Sequence, residues 1–228
     1  MKYNFIFFVF IMIPLVSLAQ KYNAYDQEGK RHGKWLKKYE NSDQIRYEGT
    51  FEHGREVGEF KFYKPTSGNK PTAIKVFSKE NDTVKVSYFT STGNVISKGG
   101  MIGKKRVGVW KYYHKNSTKI MMTEVYKNGK LNGKQLTYFL NGQLTEKTNY
   151  VEGKIEGIRI VYAEDGTKLK EYTYEKDQLH GSTKYYDAEG KISIEGNYKR
   201  DKKDGIWNYY KDGKLSEQKL FPVKNRGM

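Results

Sequence analysis

The 228 residues contain no cysteine, so no disulfide can staple the chain and no acylated cysteine can anchor it as a lipoprotein. Apolar residues are scarce. At 36% hydrophobic against 30% charged, the balance alone leans towards disorder. Sustained i, i+3, i+4 patterns are missing as well, and glycine recurs too often for twelve-residue helices. These absences exclude a helical globule and a cystine-stapled secreted domain. Order must come from packing and backbone pairing. What the chain has instead is rings: 15% of residues are Phe, Trp or Tyr, and each buries a large area. An ordered but core-poor chain rich in rings points to repeats.

Residues 1–19, MKYNFIFFVFIMIPLVSLA, stand apart from the rest. Lys2 gives a positive start, Phe5 to Ile13 form an unbroken apolar run, and Ser17-Leu18-Ala19 offers small residues for cleavage. This is the pattern of a secretory signal, and the run, interrupted by Pro14, is shorter than the roughly 20 residues a membrane span needs. The chain is therefore expected to be exported to the periplasm, the cell envelope or the medium. The repeat region is expected over 20–222, with a tail at 223–228. A net charge of +16 favours acidic partners, although the 42 basic and 26 acidic residues are interspersed.

Three columns of residues recur with one period. Gly33, Gly58, Gly108, Gly133, Gly157, Gly181 and Gly205 are spaced by 24 or 25 residues, with one double gap. Tyr63, Tyr88, Tyr113, Tyr138, Tyr162, Tyr186 and Tyr210 keep the same spacing and fill that gap through Tyr88. Tyr126, Tyr150, Tyr174 and Tyr198 run at 24 throughout. About eight copies result, counting a first at Gly33 and a third with Thr83 in the glycine slot. Each copy has two halves, short runs of aromatic and β-branched residues closed by Asn141-Gly142, Asp165-Gly166, Asp212-Gly213 or Asn128-Gly129. Such pairs turn β-hairpins, because they supply positive φ at the corner. The fold class is all-β: an elongated, open antiparallel meander of tandem hairpins, about sixteen strands and some 70–80 Å long at ~4.8 Å per strand.

Alternation splits the rings between two faces. Trp35, Phe60, Trp110 and Trp207 stand two residues after the repeat glycine; Phe62, Tyr112, Tyr185 and Tyr209 stand two further on and point the same way. Gln135, Arg159 and Thr183 take the ring's place in the middle copies. This variable face is the candidate partner-binding surface. The Tyr63-to-Tyr210 column, nearly uniform and on the other face, reads as packing.

The phrases GIWNYYKDGKL (205–215) and YKNGKLNG (126–133) resemble the MORN repeat in its longer variant form, over roughly residues 29–221. Bacterial proteins with this variant are often labelled YwqK-type antitoxins. The resemblance implies an open meander of hairpins and a role in protein–protein contact, dimerisation or lipid binding. Two departures bear on regularity: the third copy lacks its glycine, and KPTSGNKPT (64–72) replaces a short turn, so the sheet is expected to be irregular near 64–83.

Nothing in the sequence organises chemistry. His32, His53, His114 and His180 have no cysteine or second histidine at ligand spacing, and His32 and His180 are expected at exposed turns. Glu48, Glu171 and Glu195 recur with the repeat, which suits ladders with cross-strand lysines better than a singled-out acid–base pair. There is no nucleophile elbow and no phosphate-binding loop. The expectation is a non-enzymatic envelope scaffold, without cofactor or metal, that binds a protein. The alternative is an acidic glycan or anionic lipid headgroup held by rings and lysines. Nucleic acid fits an exported chain less well.

Overall fold

The turn dipeptides fall where a meander needs them. Asn128 and Gly129 both take positive φ, as do Asp212 and Gly213, the backbone of a tight two-residue hairpin turn. The computed structural model describes residues 22–222; the leader expected at 1–19 and the tail at 223–228 lie outside the described residues. Every regular element among the described residues is a strand, in nineteen segments from Ala24–Tyr25 to Lys214–Phe221. Each long strand pairs antiparallel with the next. Arg31–Lys38 meets Ile45–Glu52, which meets Arg55–Phe62, and the series runs on to the pairing of Lys202–Lys211 with Lys214–Phe221. The result is one open sheet. Its two ends differ, with a two-residue strand, Ala24–Tyr25, at one edge and a full, exposed strand, Lys214–Phe221, at the other.

The segment around 64–83 does not break the sheet. Phe62 pairs with Ala73, and Val76 pairs with Lys85, so the five-residue strand Ala73–Phe77 bridges the second and third copies. The long loop before it is closed on itself by Ser67, whose hydroxyl accepts the N–H of Lys64 and donates to the same residue's carbonyl.

The repeat glycines do a different job from the one their sequence setting suggests. They are not corners. Gly33, Gly58, Gly108, Gly181 and Gly205 lie inside strands, and Gly133 and Gly157 open strand segments, all with positive φ. Each is a left-handed step in an otherwise extended chain, a conformation open to glycine without the Cβ penalty. His32 and His180, expected at turns beside these glycines, accordingly sit in strands Arg31–Lys38 and Gln178–Tyr186.

Copies are stitched to one another through their turns. The turns Lys176-Asp177 and Arg200-Asp201 hold positive φ at both residues without any glycine. Each is pinned to the copy before it: Ile155 donates its N–H to Asp177 Oδ1 at 2.6 Å, and Leu179 donates to Asp201 Oδ1 at 2.8 Å. The backbone returns the contact, Asp177 to the Ile155 carbonyl and Asp201 to the Leu179 carbonyl, both at 3.0 Å. At the opposite ends of the strands, Tyr39 donates its hydroxyl to the carbonyl of Tyr63, the matching residue of the next copy, at 2.7 Å. Contacts of this kind make the array one-dimensional, each copy held by its neighbours.

Candidate interaction face

The face that carries the tryptophans is where the sheet builds its core. Trp35, Phe60, Trp110 and Trp207 are buried, Trp110 completely. This corrects the expectation that these four rings meet a partner: a fully covered indole offers no contact area. The cover comes from three sources, all local. Beneath each ring of the last three lies a glycine eleven residues earlier. A Cβ built on Gly49 would stand 2.4 Å from Phe60, one on Gly99 2.3 Å from Trp110, and one on Gly196 2.3 Å from Trp207. The ring thus lies flat on bare backbone. The indole N–H then donates to a carbonyl of that same strand, Gly100 for Trp110 at 3.0 Å and Asn197 for Trp207 at 3.1 Å. Strand pairing shifts register around Gly99 and Gly196, so the indole satisfies a carbonyl next to a bulge. Above each tryptophan sits a cation from four residues upstream: Arg31 at 4.9 Å from Trp35, Arg106 at 4.4 Å from Trp110, Lys203 at 4.0 Å from Trp207.

The remaining candidate residues, Phe62, Tyr112, Tyr185 and Tyr209, are half-buried on the same face. Of these, Tyr185 takes part in something new. Strand pairing aligns Arg159 with Tyr172, Tyr172 with Thr183, and Thr183 with Gly196, so the row of rings, already broken at Gln135, stays interrupted through the next two copies. The glycine is missing there too: the residues eleven before Arg159 and Thr183 are Thr148 and Tyr172. Without flat-lying rings the face opens into a groove of about 380 Å³, lined by Glu146, Arg159, Lys170, Tyr172, Tyr185 and Tyr198 among others.

The groove is rigidly built. Tyr172 and Tyr185 meet edge to face at 5.8 Å, and Tyr198 packs edge-on against Trp207 at 5.2 Å. Arg159 donates from Nη2 to Glu146 Oε2 at 2.7 Å, and Thr148 donates to the other oxygen of Glu146 at 2.9 Å. The guanidinium is held charged, first by that carboxylate bond. Arg159 Nε is buried and has no partner, alone in this among the described side chains. Burial, and then its contact with Tyr185, pushes the Tyr198 hydroxyl up to about 12. Lys170 reaches over the Tyr185 ring at 6.0 Å.

The other face also departs from expectation in part. Tyr63 is buried, and its hydroxyl donates to Glu48 at 2.6 Å; Tyr210 does the same to Glu195 at 2.6 Å. Lysine pairing is the lesser contact, at 4.0 Å between Lys61 and Glu48. Glu48 and Glu195 therefore clamp the tyrosine column, whereas Glu171 pairs with a lysine, Lys168 of its own strand, at 3.2 Å.

Two segments match the MORN repeat variant: residues 131–152 and 179–200. Both begin just before a repeat glycine, Gly133 or Gly181, and run through a hairpin to the following turn. The MORN-variant matches thus fall on the middle and later copies, and the all-β hairpin sheet extends the same architecture across the described residues. No curated protein matches the chain. Among solved structures, a mutant of S. aureus TarM in complex with fondaparinux, alpha-GlcNAc-glycerol and UDP is similar at 16% identity, with a TM-score of 0.31. The match covers 45% of this chain and only 20% of that one, and nothing about function follows from it.

Proposed function

We propose that this protein is a non-enzymatic repeat scaffold of the bacterial cell envelope that holds an acidic segment of another protein in the groove around Arg159 and Tyr185. One observation carries the reading: the ring-over-glycine packing seen at Phe60, Trp110 and Trp207 is interrupted there, leaving four tyrosines, an arginine and a lysine around one depression. Tyrosine and arginine in a pre-formed pocket are the residue types that dominate binding energy at protein interfaces. The net charge of +16 and Lys170 at the groove favour an acidic occupant. Export rests on the leader-like residues 1–19. The absence of catalysis rests on the carboxylates, since Glu48, Glu146 and Glu195 are each engaged by tyrosine, threonine or arginine.

A second reading has its own support. Lys170 over Tyr185, and Lys203 over Trp207 and Tyr209, interleave cations with rings, an arrangement suited to an acidic glycan or anionic headgroup. The test is capture of envelope proteins by the immobilised chain, by a Tyr172→Ala/Tyr185→Ala variant, and by the chain preloaded with a polyuronate. Capture lost in the variant but not on preloading supports the protein partner. Polyuronate binding that is lost with the tyrosines and falls steeply with salt supports the glycan. Equal capture by both chains contradicts the groove as the site.

A further inference from the structure

Asp26, His32 and His53 come together at the N-terminal edge of the sheet, far from the groove. The first lies just after the short strand Ala24–Tyr25, the second in Arg31–Lys38, and the third in the turn between Ile45–Glu52 and Arg55–Phe62. Pairing of Ala24 with His32 brings the first two side by side. His53 is turned towards them by its own backbone, at a φ of 46°, and Gly54 N–H fixes that turn on the Arg31 carbonyl at 2.8 Å.

The carboxylate is the anchor of the cluster. Asp26 Oδ1 accepts the N–H groups of Glu28 at 3.0 Å and Lys30 at 2.8 Å, and the side chain is only 10% exposed. Its second oxygen faces His53 Nδ1 at 2.7 Å. The imidazoles of His32 and His53 lie 4.9 Å apart between ring centres, tilted by 52°. One ligand atom from each of the three residues falls within 4.8 Å of the others. Ligands of a tetrahedral ion at about 2.0–2.1 Å stand roughly 3.4 Å apart. The widest separation must therefore close by about 1 Å or a little more, while Asp26 Oδ2 and His53 Nδ1, hydrogen-bonded at 2.7 Å, must part to a similar spacing; a rotation of the 69%-exposed His53 side chain can supply both.

We propose that Asp26, His32 and His53 form a binding site for a borderline divalent transition ion, Zn²⁺ in the first instance. Two imidazoles and one carboxylate select such ions over Mg²⁺ and Ca²⁺, which prefer all-oxygen shells. Three protein ligands leave one position open. The ion joins the edge strand, held by only two paired residues, to the first full hairpin, in a chain with no cysteine to do so. The spacing 26, 32, 53 is not a local ligand motif, so only the fold exposes it.

Titration calorimetry of the untagged protein with zinc sulfate, with magnesium as control, tests this. One equivalent of zinc is expected, with a matching rise in the thermal midpoint. His32→Ala and His53→Ala are each expected to weaken binding at least tenfold and abolish the rise, whereas His114→Ala and His180→Ala change neither. Circular dichroism confirms that each variant is folded. No zinc heat at 100 μM protein, or unchanged affinity in the His32→Ala/His53→Ala double variant, overturns the site.

Discussion

The copies around Trp110 and Trp207 and the copies around Arg159 and Thr183 share one backbone and solve its packing in opposite ways. At Trp110 a large ring lies on Gly99 under the guanidinium of Arg106, and no surface is left. At Thr183 the sizes are exchanged: the small, buried threonine pairs with Tyr172, whose ring turns edge-on to Tyr185 and leaves a groove. The comparison teaches that position within the repeat does not decide whether a residue is core or surface. The pair does. At Phe60, Trp110 and Trp207 the ring lies on a glycine, and at Arg159 and Thr183 glycine and ring are both absent; Trp35, with Ala24 at the same offset, is covered instead by Tyr25, edge-on at 5.2 Å.

The comparison breaks first at Trp110. Trp110→Ala is expected to cost about 3–5 kcal/mol in urea unfolding, the range for deleting a large buried ring. Thr183→Ala, which loses one hydrogen bond to the Glu171 carbonyl, is expected to cost about 1–2 kcal/mol. Similar losses for the two would mean that the tryptophan rows carry no special load. Next comes Gly99→Ala, which pushes a methyl group into the indole and is expected to cost about 1–3 kcal/mol as overpacking. An unchanged unfolding midpoint would show that the ring does not lie on the backbone.

Two pH effects are smaller and sharpen the contrast. The Tyr198 hydroxyl has its folded pKa raised from 10.0 to about 12, so the unfolded chain gives up that proton first. Its contribution to stability is whole below pH 10 and drains away between about 10 and 12. Glu195, held below its ordinary 4.5 first by the Tyr210 hydroxyl, contributes above that value and loses its contribution as pH falls beneath it. Tyr198→Phe is expected to flatten the alkaline slope of stability and leave the acid slope alone, whereas Glu195→Gln is expected to flatten the acid slope and, because its hydrogen bond also holds the Tyr210 hydroxyl up, to soften the alkaline one. An alkaline slope unmoved by Tyr198→Phe counts against the buried hydroxyl.

Much of the fold was legible in the residues. Locked columns of glycine and tyrosine reveal copies, and dipeptides such as Asn128-Gly129 reveal hairpins, because their cause is local backbone geometry. The function of Gly108 or Gly205 was not legible in the same way. Glycine serves equally at a corner or at a left-handed step within a strand, and only pairing separates the two. Alternation correctly grouped Trp35, Phe60, Trp110 and Trp207 on one face, yet it carries no information about what covers that face. Gly49, Gly99 and Gly196, each eleven residues before a buried ring, were the missing signal, since bare backbone under a ring implies burial. The same offset read at Thr148 and Tyr172 marks the groove. Asp26, His32 and His53 carry no such signal, because a turn and two strands bring them together.

The claim beneath all of this is that ring and glycine form one packing unit, and a double-mutant cycle at Thr148 and Arg159 measures it. Arg159→Trp alone is expected to destabilise the chain by about 1–3 kcal/mol through collision with Thr148. Adding Thr148→Gly is expected to recover at least 1 kcal/mol more than the sum of the single changes, within the usual range for coupled neighbours, and to close the groove. A cycle that sums to zero coupling, with the new indole exposed to solvent, would contradict the account.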